Sequence, residues 1–369
     1  MTALTNAPTR EARILGIGAH RPPRVIDNEE VCTWIDSSDE WIQQRTGIKA
    51  RRWAAPDVSV VDMSEDAGAK ALAAAGLTGS DVDAVILATV SYPYQTPAAA
   101  AVVAHRLGAT PAAAFDISAG CAGFCHGIAL ATDLVRGGTA RNVLVVGAEK
   151  LSDFTDKHDR STAFLFADGA GAAVVGVSDE VGVGPTVWGS DGGQSELIKS
   201  KFSWIELRGV IDGTAASSPD PIATATAAEP ASELTPEPAT GPASEPGQAP
   251  GWPYLEQQGQ SVFRWAVWQM APVAQAALDA AGVTADQIDV FVPHQANARI
   301  IDAMVKQLKL PETVHVARDI VDMGNTSAAS IPLAVERAMA DGDAPSGGLA
   351  LLIGYGAGLS YAAQVVRLP

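Results

Sequence analysis

Lys70–Ile86 reads KALAAAGLTGSDVDAVI, and Ala276–Val292 reads AALDAAGVTADQIDVFV. Each begins as an Ala-rich helix, stops at a glycine, passes an Asp-bearing turn and enters a buried apolar strand. Gly76 matches Gly282 and Asp83 matches Asp289. A second correspondence follows. The strand–turn–helix around Cys121 is echoed by 314–340, where Asn325 enters a Ser/Ala-rich helix. Each unit is then followed by a strand, LVVG at 144–147 and LLIG at 351–354. One α/β unit used twice predicts a pseudo-twofold α/β fold of five layers, αβαβα, with a central sheet in each half. The halves are expected at 1–178 and 179–369.

Outward from the repeat, Ala12–Ala19 reads as a first strand, closed by Pro22 and Pro23, and Asn28–Ile35 as a short helix. Asp36–Arg52 opens on capping Asp and Ser residues and ends strongly basic. Met63–Ala75 is predicted as a helix stopped by Gly76. Asp83–Thr89, Ala113–Ile117 and Asn142–Val146 are short apolar runs of buried-strand character, and Ala98–Leu107 is a helix. Phe164–Val177, FLFADGAGAAVVGV, reads as a tight Gly-rich turn between apolar segments, without the spacing of a dinucleotide or phosphate-binding loop. Composition changes after Asp212. Gly213–Pro250 has no Lys, Arg, aromatic residue or Cys, and reads as a disordered acidic insertion on a surface loop. Ordered structure is expected to resume at about Trp252.

The chain has 369 residues, of which 47% are hydrophobic and 18% charged, with a net charge of -17. It is long enough for a large core. That charge argues against general nucleic-acid binding and requires a local basic patch for any acidic partner. Its first residues, MTALTNAPTREARI, lack an apolar signal core, and no uncharged apolar run reaches the roughly 18 residues of a membrane span. The three cysteines, Cys32, Cys121 and Cys125, do not form a disulfide framework, so a cytoplasmic location is expected. No His/Cys cluster completes a metal site.

Chemistry concentrates in Asp116–Ile128, DISAGCAGFCHGI. A strand ends, Ser118, Ala119 and Gly120 turn without bulk, and Cys121 falls where unpaired helix N–H groups point. That position favours a thiolate and predicts a lowered pKa. A buried structural cysteine is the plain alternative for Cys121 taken alone. His294 follows the strand 289–293, in PHQAN, and Asn325 follows the next strand, in GNTSAASIP. Singly, these read equally well as a satisfied histidine and a turn or cap residue. Together, all three lie just past C-terminal strand ends, where α/β folds place ligands.

The motifs SSDEWI…RTGI (37–48), SAGCAGF (118–124), VPHQAN (292–297), GNTSAASIP (324–332) and GYGAGLSY (354–361) make the chain resemble β-ketoacyl-acyl-carrier-protein synthase III, in the thiolase-fold superfamily. The resemblance runs from about Arg13 to Leu368, apart from 213–250. The Cys-His-Asn set separates this branch from the elongating ketosynthases. The resemblance implies a cytoplasmic homodimeric acyltransferase that uses acyl-CoA and malonyl-acyl-carrier protein and needs no metal or redox cofactor; CoA enters as a thioester substrate. It implies Cys121 as nucleophile, His294 and Asn325 as hydrogen-bond donors, and the backbone N–H groups of Cys121 and Ala357 as an oxyanion hole. Some relatives carry Gly at the second site; because only the backbone donates, Ala fits. CoA contacts are implied for Trp41, Arg45, Arg160, Gly259 and Asn297, with Trp41 and Arg160 about the adenine. Carrier-protein docking is implied for Arg264, Arg299, Lys306 and Lys309. Thr96 matches the end of the acyl channel, contributed across the dimer, where its small size predicts medium-to-long acyl chains. A secondary-metabolite priming ketosynthase or acyltransferase shares the fold and is the alternative reading. A non-catalytic protein docking through 213–250 would have lost catalytic residues, and none is lost.

Overall fold

A computed structural model describes residues 10–214 and 251–369. The insertion expected at 213–250 lies, from residue 215 on, outside the described residues. The first sheet uses β1 (Glu11–His20), β2 (Ala84–Ala88), β3 (Ala113–Ile117), β4 (Asn142–Lys150) and β5 (Asp168–Ser178), in the order β1-β5-β4-β2-β3. The second uses β6 (Val187–Gly189), β7 (Val290–Pro293), β8 (His315–Val316), β9 (Leu349–Tyr355) and β10 (Tyr361–Arg367), in the order β8-β7-β9-β10-β6. Read from the β3 and β8 edges, the two orders are the same. So are the directions: β2 is parallel to β3 and β4 as β7 is to β8 and β9, and the remaining pairs are antiparallel.

The repeated residues do the same work twice. Gly76 and Gly282 both take left-handed backbone, with φ of 68° and 66°, to end α1 (Val60–Ala74) and α4 (Gly259–Ala281). The carboxylate of Asp83 accepts the Arg141 and Asn142 N–H groups at the start of β4, and Asp289 accepts that of Leu349 at the start of β9. Each aspartate thus ties a strand to its parallel neighbour.

Helices α3 (Gly123–Arg136) and α6 (Ser330–Ala340) form the middle layer. Strand alternation assigns the faces. Val143 and Val145 point inward against Phe124, Ile128 and Val335, while Leu144 and Val146 face Met63, Ala67 and Ala71 of α1. On the second sheet, Val290 and Val292 face the middle layer, and Phe291 packs with Met270 of α4 and Met304 of α5 (Ala298–Leu308). With α2 (Ala99–Arg106) beside α1, the layers run helix, sheet, helix, sheet, helix. Among the described residues no helix is long and apolar enough to cross a membrane.

One expectation fails here. The Gly-rich run Phe164–Val177 is not a turn; most of it is β5, paired on both sides by β1 and β4. Its small residues serve close packing. A Cβ on Gly171 would stand 2.7 Å from Cβ of Pro332, at the start of α6. Helix α1 also begins three residues earlier than expected, because Ser59 and Asp62 form a capping box ahead of Val60.

Candidate active site

Cys121 sits in the 3-10 turn Gly120–Ala122, between the end of β3 and the start of α3. Across from it, the turn after β9 approaches through Gly356. A Cβ there would lie 2.8 Å from the Cys121 Cβ and 2.9 Å from its Sγ. Glycine therefore lets the backbone of Gly356 and Ala357 close over the sulfur.

Desolvation is the largest influence on the state of this thiol. Burial pushes the Cys121 pKa up to about 12, and the Glu149 carboxyl adds to the rise; the Ser327 hydroxyl pulls in the other direction without cancelling it. The lowered pKa expected from position is thus corrected. Removing an anionic sulfur from water is costly, so the resting group is the thiol. Cys121 keeps partial exposure and lines the cavity wall.

His294 follows β7, and its N–H donates to the Ile353 carbonyl at 2.8 Å. The ring is 2% exposed, meets Tyr355 edge-on at 5.3 Å, and lies with Nδ1 2.7 Å from Ser330 Oγ. Burial pushes its pKa down to about 3, so the imidazole is neutral. Asn325 does not stand at a strand end as expected. β8 has only two residues, and a helical turn, Ile320–Met323, intervenes. Asn325 is held instead by pairing with the lead-in to β5: its N–H donates to the Leu165 carbonyl, and its own carbonyl accepts from the Ala167 N–H, both at 2.9 Å. Its side-chain Oδ1 accepts from the Ser327 N–H at 2.9 Å, which leaves the amide NH2 for a ligand.

Two cavities meet at Cys121. The larger, about 700 Å³, is lined by Cys121, His294 and Asn325 and also by Trp41, Arg45, Arg160, Gly259, Arg264, Asn297 and Arg299. The other, about 470 Å³, is lined by Cys121, Thr89, Val90, Tyr92, Tyr94, Ser327 and Ala357. Residues far apart in sequence are therefore brought to one opening. Trp41 is part-exposed, packs edge-on to Phe164 at 5.5 Å and carries Arg45 over its ring at 5.9 Å. The Asn297 side chain is engaged within the protein: Oδ1 caps α5 through the Arg299 N–H, and Nδ2 donates to the Arg45 carbonyl. Lys306 and Lys309 are exposed at the far end of α5 and line neither cavity. Thr96 is exposed and lines neither cavity.

Sequence reasoning missed three residues. Tyr355 sits within the quoted motif GYGAGLSY but had no assigned role. Ser327 faces both Cys121 and Glu149. Glu149 itself is fully buried beneath the cavity wall. Its Oε2 accepts from Ser91 Oγ at 2.5 Å, the Val90 N–H at 3.1 Å and Thr89 Oγ1 at 3.2 Å, while Oε1 has no partner. A charged residue inside an apolar strand run was the available signal.

Comparison with known proteins agrees with this geometry. Residues 115–192 match the family model for 3-oxoacyl-[acyl-carrier-protein] synthase III, and residues 278–368 match the model for its C-terminal part. The chain is 56% identical over 361 residues to β-ketoacyl-[acyl-carrier-protein] synthase III 1 of Streptomyces coelicolor, covering 97% of this chain and 96% of that one. It is 53% identical over 369 residues to β-ketoacyl-[acyl-carrier-protein] synthase III of Kocuria rhizophila, covering 100% and 99%. Among solved structures, the priming β-ketosynthase of the R1128 polyketide biosynthetic pathway superposes with a TM-score of 0.87 at 43% identity, over 100% and 99% of the two chains. The 3-oxoacyl-[acyl-carrier-protein] synthase III of Aquifex aeolicus does so at 0.80 and 34%, over 96% and 99%. With the duplicated sheets and a cysteine, histidine and asparagine brought to one opening, the chain belongs to the β-ketoacyl-acyl-carrier-protein synthase III family, condensing acyltransferases of the thiolase fold.

Proposed function

We propose that Cys121, His294 and Asn325 carry a decarboxylative condensation of acyl-CoA with malonyl-acyl-carrier protein, giving 3-oxoacyl-carrier protein, CoA and carbon dioxide. The observation that carries this assignment is the meeting of two cavities at Cys121, with His294 and Asn325 on the side of the larger. Cys121 sulfur attacks the thioester carbonyl, the acyl group moves to sulfur, and the Cys121 proton leaves with CoA as its thiol. The backbone N–H groups of Cys121 and Ala357 stabilise the tetrahedral oxyanion. The malonyl thioester then enters by the same route. As carbon dioxide leaves, neutral His294 and the Asn325 amide donate to the enolate oxygen; the carbanion attacks the acyl-Cys121 carbonyl, the carbon–sulfur bond breaks to release 3-oxoacyl-carrier protein, and the Cys121 thiolate takes a proton from water to return to the thiol. A neutral histidine suits this step, because it donates a hydrogen bond without readily protonating the carbanion.

Trp41, Arg45 and Arg160 suit an adenine nucleotide at the mouth, with Gly259 and Asn297 along the pantetheine arm. Arg264, Arg299, Lys306 and Lys309 supply the positive charge on which an acidic carrier protein docks, despite the net charge of -17. The two halves, 1–178 and 179–369, each contribute to the site. β3 is a sheet edge that leaves Phe115 38% exposed, which supports a homodimer formed through that side. Thr96, exposed in the single chain, reaches an acyl channel only through a second copy. The 470 Å³ cavity supports medium-to-long primers. Unpaired Cys32, Cys121 and Cys125 fit a reducing, cytoplasmic setting.

The likeness to the R1128 priming ketosynthase, at a TM-score of 0.87, supports a second reading in which the primer serves a secondary metabolite. Intact-mass spectrometry with a panel of acyl-CoAs, without malonyl donor and beside Cys121→Ser, tests the assignment. A mass gain of one acyl group, absent from the variant and largest for one chain length, is the expected result. No adduct on folded protein overturns it. Turnover confined to acetyl-CoA overturns the chain-length proposal.

A further inference from the structure

Ser330 opens α6 one helical turn beyond Asn325, and its hydroxyl lies 2.7 Å from Nδ1 of His294. Both residues are buried, at 1% and 2% exposure. A neutral imidazole carries one proton, on either nitrogen, and the hydrogen bond made by one nitrogen decides the state of the other. A hydroxyl can donate or accept, so its remaining contacts settle the direction. Ser330 Oγ also receives the Gln295 N–H, at 3.4 Å. One lone pair is thus engaged by a donor, and the hydroxyl hydrogen needs an acceptor. Among the described residues, Nδ1 is the acceptor within hydrogen-bond distance. The Gln295 side chain does not compete, because its NH2 is turned to the Pro293 and Ala317 carbonyls and its Oε1 accepts from the Ile320 N–H.

We propose that Ser330 is a positioning residue: its hydroxyl donates to Nδ1 of His294 and thereby holds the ring proton on Nε2, the nitrogen left to the cavity. The role rests on the functional reading above and deepens it. With the proton on Nε2, resting His294 is poised as a donor to the enolate oxygen of the second half-reaction. It is not poised as the base that removes the Cys121 proton in the first. Ser330 touches neither reacting thioester and acts only through the imidazole.

The experiment combines nitrogen-15 NMR of histidine-labelled full-length protein with the two half-reactions measured separately, in wild type and Ser330→Ala. The His294 signals are assigned by their loss in His294→Asn. In wild type, Nε2 is expected to give the protonated, pyrrole-type shift and Nδ1 the pyridine-type shift. In Ser330→Ala, acyl-Cys121 formation is expected to be unchanged, condensation with malonyl-carrier protein to slow by about 3- to 10-fold, the worth of one neutral hydrogen bond, and the NMR signals to move toward the other tautomer. A protonated Nδ1 in wild type, or condensation unchanged in Ser330→Ala, overturns the proposal. Failure of wild type to form acyl-Cys121 overturns the functional reading instead, and the NMR shifts of wild type still decide the tautomer.

Discussion

Gly356 lies against Cys121 so closely that a single added carbon on it would stand 2.9 Å from the sulfur. The contact joins the two halves of the duplicated fold at the nucleophile. Gly356→Ala is therefore expected to displace either the sulfur or the turn carrying the Ala357 N–H. A misplacement near 1 Å costs about 10²-fold in rate. Acyl-Cys121 formation should fall by that order, with the melting temperature close to wild type. Acylation at the wild-type rate, followed by stopped-flow or quenched mass spectrometry, would show that the close approach has no catalytic part.

Removing His294 or Asn325 separates the two half-reactions. His294→Ala and Asn325→Ala should each lose roughly 2.7–4 kcal/mol of transition-state stabilisation, about 10²–10³ in condensation rate. The acyl-enzyme should still form, because neither side chain is needed for attack on the first thioester. Release of carbon dioxide from malonyl-carrier protein, measured beside the acyl-enzyme mass, checks both halves. Equal loss of acylation and condensation contradicts the division of labour.

Thiol alkylation reports the state of Cys121. With its pKa pushed up to about 12 by burial, the thiolate fraction grows about tenfold per pH unit across the neutral range. The rate of iodoacetamide labelling at Cys121, read by peptide mass spectrometry between pH 6 and 9, should climb without a plateau. A plateau below pH 8 would mean that the helix N-terminus outweighs desolvation after all.

Glu149 gives a pH-dependent stability of defined sign. Desolvation is the leading cause that raises its pKa to about 7, from an ordinary value of 4.5, against hydrogen bonds from Ser91, Val90 and Thr89 that favour the anion. Between those values the folded chain binds more protons than the unfolded one, so this group's contribution is full below about 4.5 and is lost as pH rises through about 7. Glu149→Gln mimics the protonated form and keeps an acceptor oxygen for the Ser91, Val90 and Thr89 donors. It should melt higher than wild type at pH 8, with the gap narrowing at pH 5. A gap independent of pH would show that Glu149 does not titrate in this window.

Arg51 illustrates why a sequence pattern stops short of the site. In the string RTGIKARR it reads as one more surface cation, yet it is fully buried. It donates to the Ile26 and Phe164 carbonyls and to Asn28 Oδ1, and its Cβ lies where a side chain on Gly324 would stand. It braces the chain immediately before Asn325. Local composition cannot distinguish such a residue from its exposed neighbour Lys49, because the difference lies in partners 23 to 113 residues away along the chain.

The repeat of helix, glycine, aspartate and strand was enough to determine two matched sheets. Gly76 and Gly282 stop helices by backbone conformation, and Asp83 and Asp289 bond to the next strand's N–H groups; both effects are written in nearby sequence. The quoted motifs likewise named Cys121, His294 and Asn325, since each stands in a short turn of recognisable chemistry. Tertiary packing decided what those residues are in place. Burial keeps Cys121 a thiol and His294 neutral, and Leu165 and Ala167, not a strand end, clamp Asn325. Gly169 and Gly171 stand in a strand because Pro332 and Leu333 of α6 pack where their side chains would have stood. Desolvation and close packing are sums over everything that surrounds an atom, and only the folded chain assembles those surroundings.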